Sequence, residues 1–350
     1  MGPTLVHVRG KRKQPSAETP KPVLELAAKK AKRTLASVMA TRLHRHRPTL
    51  ESLPAEILES ILLYSSNFAL PRASSLIGFK LSGRATLLRL FVWAFHETWH
   101  QGFGIPAHQH IFHVPPKGED GEMPCHGDPV LQSAMLELPW VNIDFILQAQ
   151  QVWADRYARH RWYSHNLPWS SISSHHQPNH DYSGGFSHFN ARACFEADYQ
   201  QALAEPGKVN SETMDWRARD VHPETRMPTE LLTGPWDDEK LRRLYWLSRG
   251  GIDLDYEGQA VQPWEVKVQC LENAIVLPRE PIALVANCLL GAWIFEFLPS
   301  DVMARLYHSL DTRMKWGDDS LDSRSILMCA SGALSYFMQV AKFTRQGSLR

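Results

Sequence analysis

The sequence predicts a mainly α-helical protein. Across its 350 residues, apolar side chains recur at spacings of three and four, which is the period of a helix with one buried face. Prolines and aspartates stand where such segments begin, and glycines stand where they end. No stretch alternates apolar and polar residues convincingly enough to predict a strand. With 43% hydrophobic residues, the chain can bury one large core or two smaller ones.

Net charge and cysteine usage indicate the environment in which the chain works. The formal net charge is only +1, so no overall field draws the protein to nucleic acid, and we expect no nucleic-acid partner. The cysteines are scattered and form no CxxC pair, which disfavours a disulfide framework and a cysteine zinc site. This pattern favours a reducing intracellular compartment, nuclear or cytoplasmic. The cysteines are Cys125, Cys194, Cys270, Cys288 and Cys329.

Ile282–Leu298 is the most apolar stretch, yet the sequence does not predict a membrane span there. Asn287 and Glu296 interrupt the stretch, which is shorter than the roughly 20 residues that a spanning helix needs. The N-terminus also lacks the apolar region of a signal peptide. We therefore predict a buried core helix over Ile282–Leu298 and no membrane partner.

Residues 1–48 are predicted to form a disordered basic tail, because charge, proline and small polar residues leave little to bury. Two lysine- and arginine-rich clusters in this tail resemble a bipartite nuclear import signal, in which an extended cationic peptide meets the acidic groove of an importin. The clusters consist of Lys11, Arg12, Lys13, Lys29, Lys30, Lys32 and Arg33. The alternative is a solvated basic tail without such a role, or one with weak affinity for nucleic acid.

Residues 49–100 are predicted to form a small module of three helices. The first begins at Pro54, because proline is preorganised for the first helical position. The second begins at Pro71 and ends at Gly78, and the third covers the sequence RATLLRLFVWAFHETW. Three short helices cannot build a large core, so the module is expected to pack on a larger helical domain.

The remainder of the chain is predicted to hold a loop-rich region and then a regular helical block. Residues 101–230 are rich in loops, with helices beginning near Trp140 and in the sequence ARACFEADYQQALAE. Residues 231–350 are more regular. Their first helix is capped by Asp237 or Asp238 and ended by a glycine pair, and further helices follow towards the C-terminus.

The sequence LPAEIL, followed by two further aliphatic residues and then by LPRAS, resembles the F-box, and more closely the divergent F-box of many fungal proteins. In that family, the leading Leu-Pro and the aliphatic positions of the first helix contact the Skp adaptor of a cullin-RING ubiquitin ligase. Such a motif binds by laying the apolar face of a helix into a groove of its partner. A plain amphipathic core helix is the alternative. The resemblance implies that the adaptor-binding residues are Leu53, Pro54, Ile57, Leu58, Ile61 and Leu62.

The sequence LRRLYWLSRGGIDLD at 241–255 resembles the second helix and exit of an ankyrin repeat. A true repeat also has a TPLH-type turn and a period of about 33 residues, and no clean second copy is present. The resemblance implies degenerate, ankyrin-like helical hairpins in residues 231–350, with an irregular helical domain as the alternative. Either architecture suits protein binding rather than catalysis.

Two histidine clusters and a Cys-His pair are the candidates for metal binding or catalysis. Both histidine clusters fall in loop-like segments and no HExxH helix is present, so surface histidines are favoured over a metal site. Cys125 and His126 lie near Asp128 in a proline- and glycine-rich loop, where a nucleophile and its base rarely hold catalytic geometry. The two clusters are His108, His110 and His113, and His175, His176 and His180 with Asp181.

These observations lead to the hypothesis of an interaction protein that is not an enzyme and needs no cofactor. The chain is expected to be a substrate receptor of an SCF-type ubiquitin ligase. Its F-box-like helix would bind the Skp adaptor, and its C-terminal helices would hold an unknown target protein at a raised local concentration. Two alternatives remain: a nuclear helical scaffold with a vestigial F-box, and a histidine-rich metal-dependent enzyme.

Overall fold

The computed structural model describes residues 49–103, 125–164, 184–186, 189–204, 219–255 and 262–347. The chain divides into two units, Met1–Thr49 and Leu50–Arg350, and every element described below belongs to the second. That unit is mainly helical, which confirms the predicted fold class. The predicted basic tail lies outside the described residues.

The first half of the described chain is built from six helices and one pair of short strands. Its helices are α1 (Ala55–Ser65), α2 (Ser75–Leu81), α3 (Arg84–Gly102), α4 (Pro129–Leu136), α5 (Ile143–Trp153) and α6 (Ala191–Ala204). Two 3₁₀ segments, Leu50–Ser52 and Leu70–Arg72, precede α1 and α2, and a π-helical turn at Ala154–Ala158 continues α5.

The strands β1 (Trp162–Ser164) and β2 (Gly184–Phe186) pair in antiparallel register, with Trp162 opposite Phe186. The sequence predicted no strand here, because a run of three residues is too short to show an alternating pattern.

The second half of the described chain is helical throughout. Its helices are α7 (Thr229–Thr233), α8 (Asp238–Arg249), α9 (Trp264–Leu271), α10 (Ala283–Leu289), α11 (Ala292–Phe295), α12 (Ser300–Trp316) and α13 (Leu321–Gly347). A π-helical turn at Glu272–Val276 continues α9. No helix in the described ranges is long and apolar enough to cross a membrane.

Gly78 lies inside α2 rather than at a helix end, so the predicted stop is wrong. Pro71 belongs to the preceding 3₁₀ segment, and Ser74 caps α2 by accepting a hydrogen bond from the backbone N–H of Leu76. A Cβ atom on Gly78 would lie 2.7 Å from the carbonyl oxygen of Pro71. Because glycine has no side chain, α2 packs closely against the 3₁₀ segment.

One hydrophobic core extends from α1 to α13. Its centre lies along α3, where the ring centroids of Phe91 and Phe95 are 4.5 Å apart and those of Phe95 and Trp99 are 5.5 Å apart. Trp153 of α5 meets Trp99 edge-on, and Trp246 of α8 meets Phe95 in the same way. The helices of residues 49–100 therefore share an aromatic core with the rest of the unit.

Helix α4 was not predicted, although the sequence carries a signal for its start. Asp128 accepts hydrogen bonds from the backbone N–H groups of Val130 and Leu131 at 2.9 and 3.0 Å, and Pro129 occupies the first helical position. The proline-rich segment before α4 predicts a loop, and the predicted loop extended past the start of the helix at Pro129. Buried Gln132 donates a hydrogen bond to Thr98 at 2.8 Å and so ties α4 to α3.

The predicted core helix over Ile282–Leu298 is largely buried, but it is broken into α10 and α11. The break falls at Leu290 and Gly291, where the backbone is extended. Asp255 accepts a hydrogen bond from the backbone N–H of Trp293 at 2.7 Å and thereby caps α11. This cap lies 38 positions earlier in the chain, so the local sequence does not show the break.

α12 and α13 form a C-terminal hairpin. Arg313 near the end of α12 pairs with Asp319 in the connecting turn at 2.7 Å, and it also donates to the carbonyl oxygens of Ile275 and Val276. Midway along α13, Gly332 is exposed, and a Cβ atom there would meet no atom within 4 Å. Packing within the chain therefore does not require a glycine at this position.

Candidate protein-docking surface

The six residues of the predicted adaptor-binding set split into two groups. Leu58 and Leu62 are 0% and 1% exposed and belong to the hydrophobic core. They lie four residues apart, which places them on the same face of α1. The other four reach the surface fully or in part: Leu53, Pro54, Ile57 and Ile61.

Large apolar side chains near α1 and on α2 are also exposed to solvent. Tyr64 at the end of α1 is 93% exposed, and Phe79 of α2 is 79% exposed. Leu76 and Phe79 were not predicted as binding residues. They do not lie at the helical spacing that Ile77 and Leu81, the buried residues of the same helix, share. The exposed set, which we call the outer surface, consists of Leu50, Ile57, Tyr64, Leu76 and Phe79.

Hydrogen bonds fix the backbone that carries the outer surface. Lys80 of α2 donates from Nζ to the carbonyl oxygens of Glu51 and Leu53 at 2.7 and 2.8 Å. Ser74 donates from its hydroxyl to the carboxylate of Glu51. The segment before α1 is therefore held against α2 from two sides.

An ion pair ties α1 to α3. Glu59 of α1 pairs with Arg89 of α3, with Nη2 of Arg89 2.6 Å from Oε2 of Glu59, and it also accepts a hydrogen bond from Thr86 at 3.1 Å. The hydrogen bond from Arg89 lowers the pKa of Glu59 below its ordinary value and raises the pKa of Arg89. Glu59 is thus held in its ionised form.

The outer surface offers apolar area on fixed helices. Its side chains are aliphatic or aromatic, so the chemistry that it supports is the removal of apolar surface from water against another molecule. Aromatic side chains are enriched in protein interfaces for this reason. The arrangement therefore suits protein docking.

Both histidine clusters and both basic clusters lie outside the described residues. Within the described ranges, no group of three or more His, Cys, Asp or Glu side chains is placed to hold a metal ion.

The loop containing Cys125, His126 and Asp128 has a structural role. The carboxylate of Asp128 is used to cap α4, as described above. The backbone of His126 is held on both sides, since its carbonyl oxygen accepts from Thr98 at 2.7 Å and its N–H donates to Gln101 at 2.8 Å. These bonds fix the loop against α3.

The helix that resembles part of an ankyrin repeat, α8, contributes mainly to the interior. Of the two predicted caps, Asp237 and Asp238, it is Asp237 that caps the helix, and Leu244, Tyr245, Trp246 and Leu247 are all buried. The exposed and partly exposed side chains of this helix lie in its first five residues and at Ser248.

Buried charges in α8 are paired across the interior. Arg249 lies 2.7 Å from Asp198 of α6 and 3.5 Å from Asp220. Burial raises the pKa of Asp220, although the charge of Arg249 acts in the opposite direction. Arg243 pairs with Glu230 and donates to the carbonyl oxygen of Leu136. Neither arginine was singled out from the sequence.

Comparison of the chain with protein-family models, with curated proteins and with solved structures finds no match in any of the three. The F-box and ankyrin resemblances therefore depend on the residues of this chain alone. Function has to be inferred from the surfaces that the fold presents.

Proposed function

We propose that the chain is the substrate-receptor subunit of an SCF-type cullin-RING ubiquitin ligase. The observation that carries the proposal is the outer surface, whose large apolar side chains are exposed on the segment that resembles the F-box and directly beside it. In this role the protein catalyses nothing. It binds the Skp adaptor and a target protein together, so that proximity favours ubiquitin transfer.

Adaptor binding would remove exposed apolar side chains from water. Full burial of one exposed aliphatic or aromatic side chain is worth about 1.5–3 kcal/mol, and a few such anchors dominate a typical interface. The hydrogen bonds of Lys80 hold the backbone in place before binding, which lowers the entropy lost on association. The outer surface therefore offers exposed anchor side chains on a backbone that is held in place before binding.

The burial of Leu58 and Leu62 changes the proposed contact set. These two side chains support adaptor binding indirectly, because they hold α1 on the core. Direct contact is proposed for the exposed Ile57, Leu76 and Phe79. A Leu58→Asp variant would unfold the chain and is therefore unsuitable as a test.

The test is the affinity of the full chain for a purified Skp adaptor, measured by isothermal titration calorimetry. Ile57→Asp and Phe79→Asp place a charge on the outer surface while leaving the core intact. Each is expected to weaken binding by at least about 30-fold, because loss of a hot-spot side chain costs about 2 kcal/mol or more.

Leu277→Asp is the matched control, because Leu277 is 69% exposed in a different part of the described chain. It is expected to bind the adaptor with wild-type affinity. No binding by the folded wild-type protein would contradict the proposal, and so would an equal loss of affinity in the control.

The nuclear helical scaffold with a vestigial F-box is the second candidate. The complete burial of Leu58 and Leu62 favours it, because these positions then serve only as core packing. This candidate requires that the folded chain binds no Skp adaptor while it still accumulates in the nucleus.

Nuclear import through an importin is proposed for the basic clusters, with the protein otherwise in the cytoplasm. A fluorescent fusion in which Lys29, Lys30, Lys32 and Arg33 are replaced by alanine is expected to lose nuclear accumulation. Replacement of Lys11, Arg12 and Lys13 alone is the comparison, and it is expected to have the smaller effect. Equal distribution of all versions would contradict an import role.

The target protein is proposed to bind the C-terminal hairpin. Trp316, Met328 and Tyr336 are exposed on α12 and α13, which supports a protein-binding role for this part of the chain. Cross-linking of a bound target to these helices is the expected result.

A further inference from the structure

An open groove lies between α3 and α5. It is lined on one side by residues of α3 from Ala85 to Glu97 and on the other by Val152, Arg156 and Tyr157. Its volume is about 570 Å³. The groove involves none of the residues of the outer surface, so the two surfaces can be tested with separate variants.

Apolar side chains in this groove remain open to solvent. Trp93, Val152 and Tyr157 are 39%, 41% and 43% exposed, while Leu88 and Val92 of α3 pack against the core beneath them. No other residue in the described part of the chain covers the exposed portions of these side chains. A partner that lay in the groove would remove them from water.

The longer wall of the groove matches the length of a short helix. Twelve residues separate Ala85 from Glu97, so at 1.5 Å per residue this wall is about 18 Å long, or a little over three turns. Val152 and Arg156 lie one turn apart on the opposite wall. A helix placed between two others packs its side-chain ridges into their grooves, and protein partners use this mode of recognition.

The charges of the groove indicate what a bound helix must carry. The guanidinium of Arg156 lies 5.3 Å from the ring centroid of Tyr157, which holds it in place, and it makes no ion pair within the described chain. Arg89 is already paired with Glu59. Glu97 is the one carboxylate among the lining residues, so a single acidic residue beside Arg156 is favoured over a run of acids.

His96 adds a hydrogen-bond donor to the same end of the groove. Its Nδ1 accepts a hydrogen bond from the indole N–H of Trp153 at 2.9 Å, so the neutral ring carries its own hydrogen on Nε2. The ring of Tyr157 meets His96 edge-on at 4.7 Å between centroids. His96, Arg156 and Tyr157 thus form a polar end beside an apolar floor.

We propose that this groove binds a short amphipathic helix of a partner protein. The bound helix places apolar side chains at positions i, i+3 or i+4, and i+7 on the floor formed by Leu88, Val92 and Val152. It places one Asp or Glu next to Arg156. The polar groups at the end of the groove fix its direction.

The probe is a phage-displayed library of random 15-residue peptides, selected on the immobilised full chain. Enriched peptides are expected to share apolar residues at helical spacing and one acidic residue. The most enriched peptide is then synthesised, and its affinity for the chain is measured by fluorescence polarisation.

Three variants of the full chain locate the binding site. Val152→Glu and Arg156→Glu are expected to weaken binding of the peptide at least tenfold. A peptide with lysine in place of its acidic residue is expected to regain affinity for Arg156→Glu. Leu203→Glu is the matched control on α6, where Leu203 is 45% exposed, and it is expected to bind like the wild type.

The outcomes separate the proposal from its competitors. Failure to enrich any peptide would overturn it, as would enriched peptides without helical spacing, which indicate an extended ligand. Unchanged affinity in Val152→Glu would place the peptide elsewhere. Circular dichroism checks that the variants are folded, and Val152→Asn, with the same expected direction of effect, replaces Val152→Glu if that variant unfolds.

Discussion

Two regions of the molecule place side chains in environments that their chemistry does not favour. The regions differ in whether other groups of the chain stabilise those side chains. At the outer surface, the apolar side chains of Phe79 and Tyr64 face solvent. Between α6 and α8, the charged side chains of Arg249 and Asp198 are only 7% and 10% exposed. The buried charges compensate each other at 2.7 Å, whereas the outer surface has no cover in the described chain.

This difference separates side chains that the fold itself must stabilise from side chains that a partner protein can cover. A buried charge without a partner costs several kcal/mol, so its partner has to be part of the fold. An exposed apolar side chain costs the folded state little, and folding alone does not require it to be covered. Of these two regions, the outer surface is therefore where binding of a second protein gains free energy. The interior ion pair is where mutation lowers the free energy of unfolding most.

The largest expected effect is the loss of the interior guanidinium. Arg249→Ala leaves the carboxylates of Asp198 and Asp220 in the interior without this cation, and it should lower the free energy of unfolding by about 3–5 kcal/mol. Urea denaturation followed by circular dichroism measures the change. Asp198→Asn/Arg249→Gln removes the charge of both partners and should cost less than the single variant. A loss below 1 kcal/mol in Arg249→Ala would show that the interior charges do not depend on each other.

The next effect concerns the inward face of α1. Leu58→Ala should lower the free energy of unfolding by about 2–5 kcal/mol, because it removes buried methyl groups and leaves a cavity. Ile57→Ala on the partly exposed side of the same helix is the matched control and should cost much less. Equal losses in the two variants, measured by urea denaturation, would mean that α1 does not distinguish its faces.

A smaller effect is expected for the ion pair between α1 and α3. Glu59→Gln should cost about 1 kcal/mol or less at pH 7, because Arg89 is half exposed. The folded-state pKa of Glu59 lies below its ordinary value of 4.5, so the stabilisation is present above that pH. It should be lost as the pH falls through the folded-state pKa, and the difference in unfolding free energy between wild type and variant should shrink there.

Arg89→Gln tests the same ion pair by removing the charge of the arginine instead of that of the glutamate. It should remove the same pH-dependent part of the stability, because the hydrogen bond from Arg89 is the largest cause of the lowered pKa of Glu59. A stability difference that is constant from pH 7 to pH 3 in both variants would argue against the assigned ion pair.

The smallest effect on stability is expected at the outer surface itself. Phe79→Ser should change the free energy of unfolding by no more than about 0.5 kcal/mol, since the side chain is largely in solvent before and after the change. Thermal denaturation measures this. A destabilisation well above that value would mean that Phe79 packs within the isolated chain, and its exposure would no longer support a docking role.

The sequence predicted elements whose signals are local. The start of α1 after Pro54 and the cap of α8 at Asp237 follow from residues at the helix ends themselves. The break between α10 and α11 was not predictable in this way, because Asp255 reaches it from a distant part of the chain. Local pattern also could not show that Gly78 meets the carbonyl oxygen of Pro71, since that contact depends on how two segments pack.

The candidate binding surfaces were likewise predictable only where their signals are local. The sequence showed an apolar stripe on α1, but it did not separate the buried Leu58 and Leu62 from the partly exposed Ile57. That separation depends on where α2 and α3 pack against α1. The groove was not predicted because its two walls come from α3 and α5, and no local pattern records the space between two helices.

Gly332 makes α13 a convenient site for an optical probe. Because a Cβ atom at position 332 would meet no atom within 4 Å, the side chain of a genetically encoded fluorescent amino acid can leave the backbone there without a clash. Its emission would respond when another molecule covers that stretch of the helix. A single exposed glycine thus provides a spectroscopic reporter for target docking on the C-terminal hairpin.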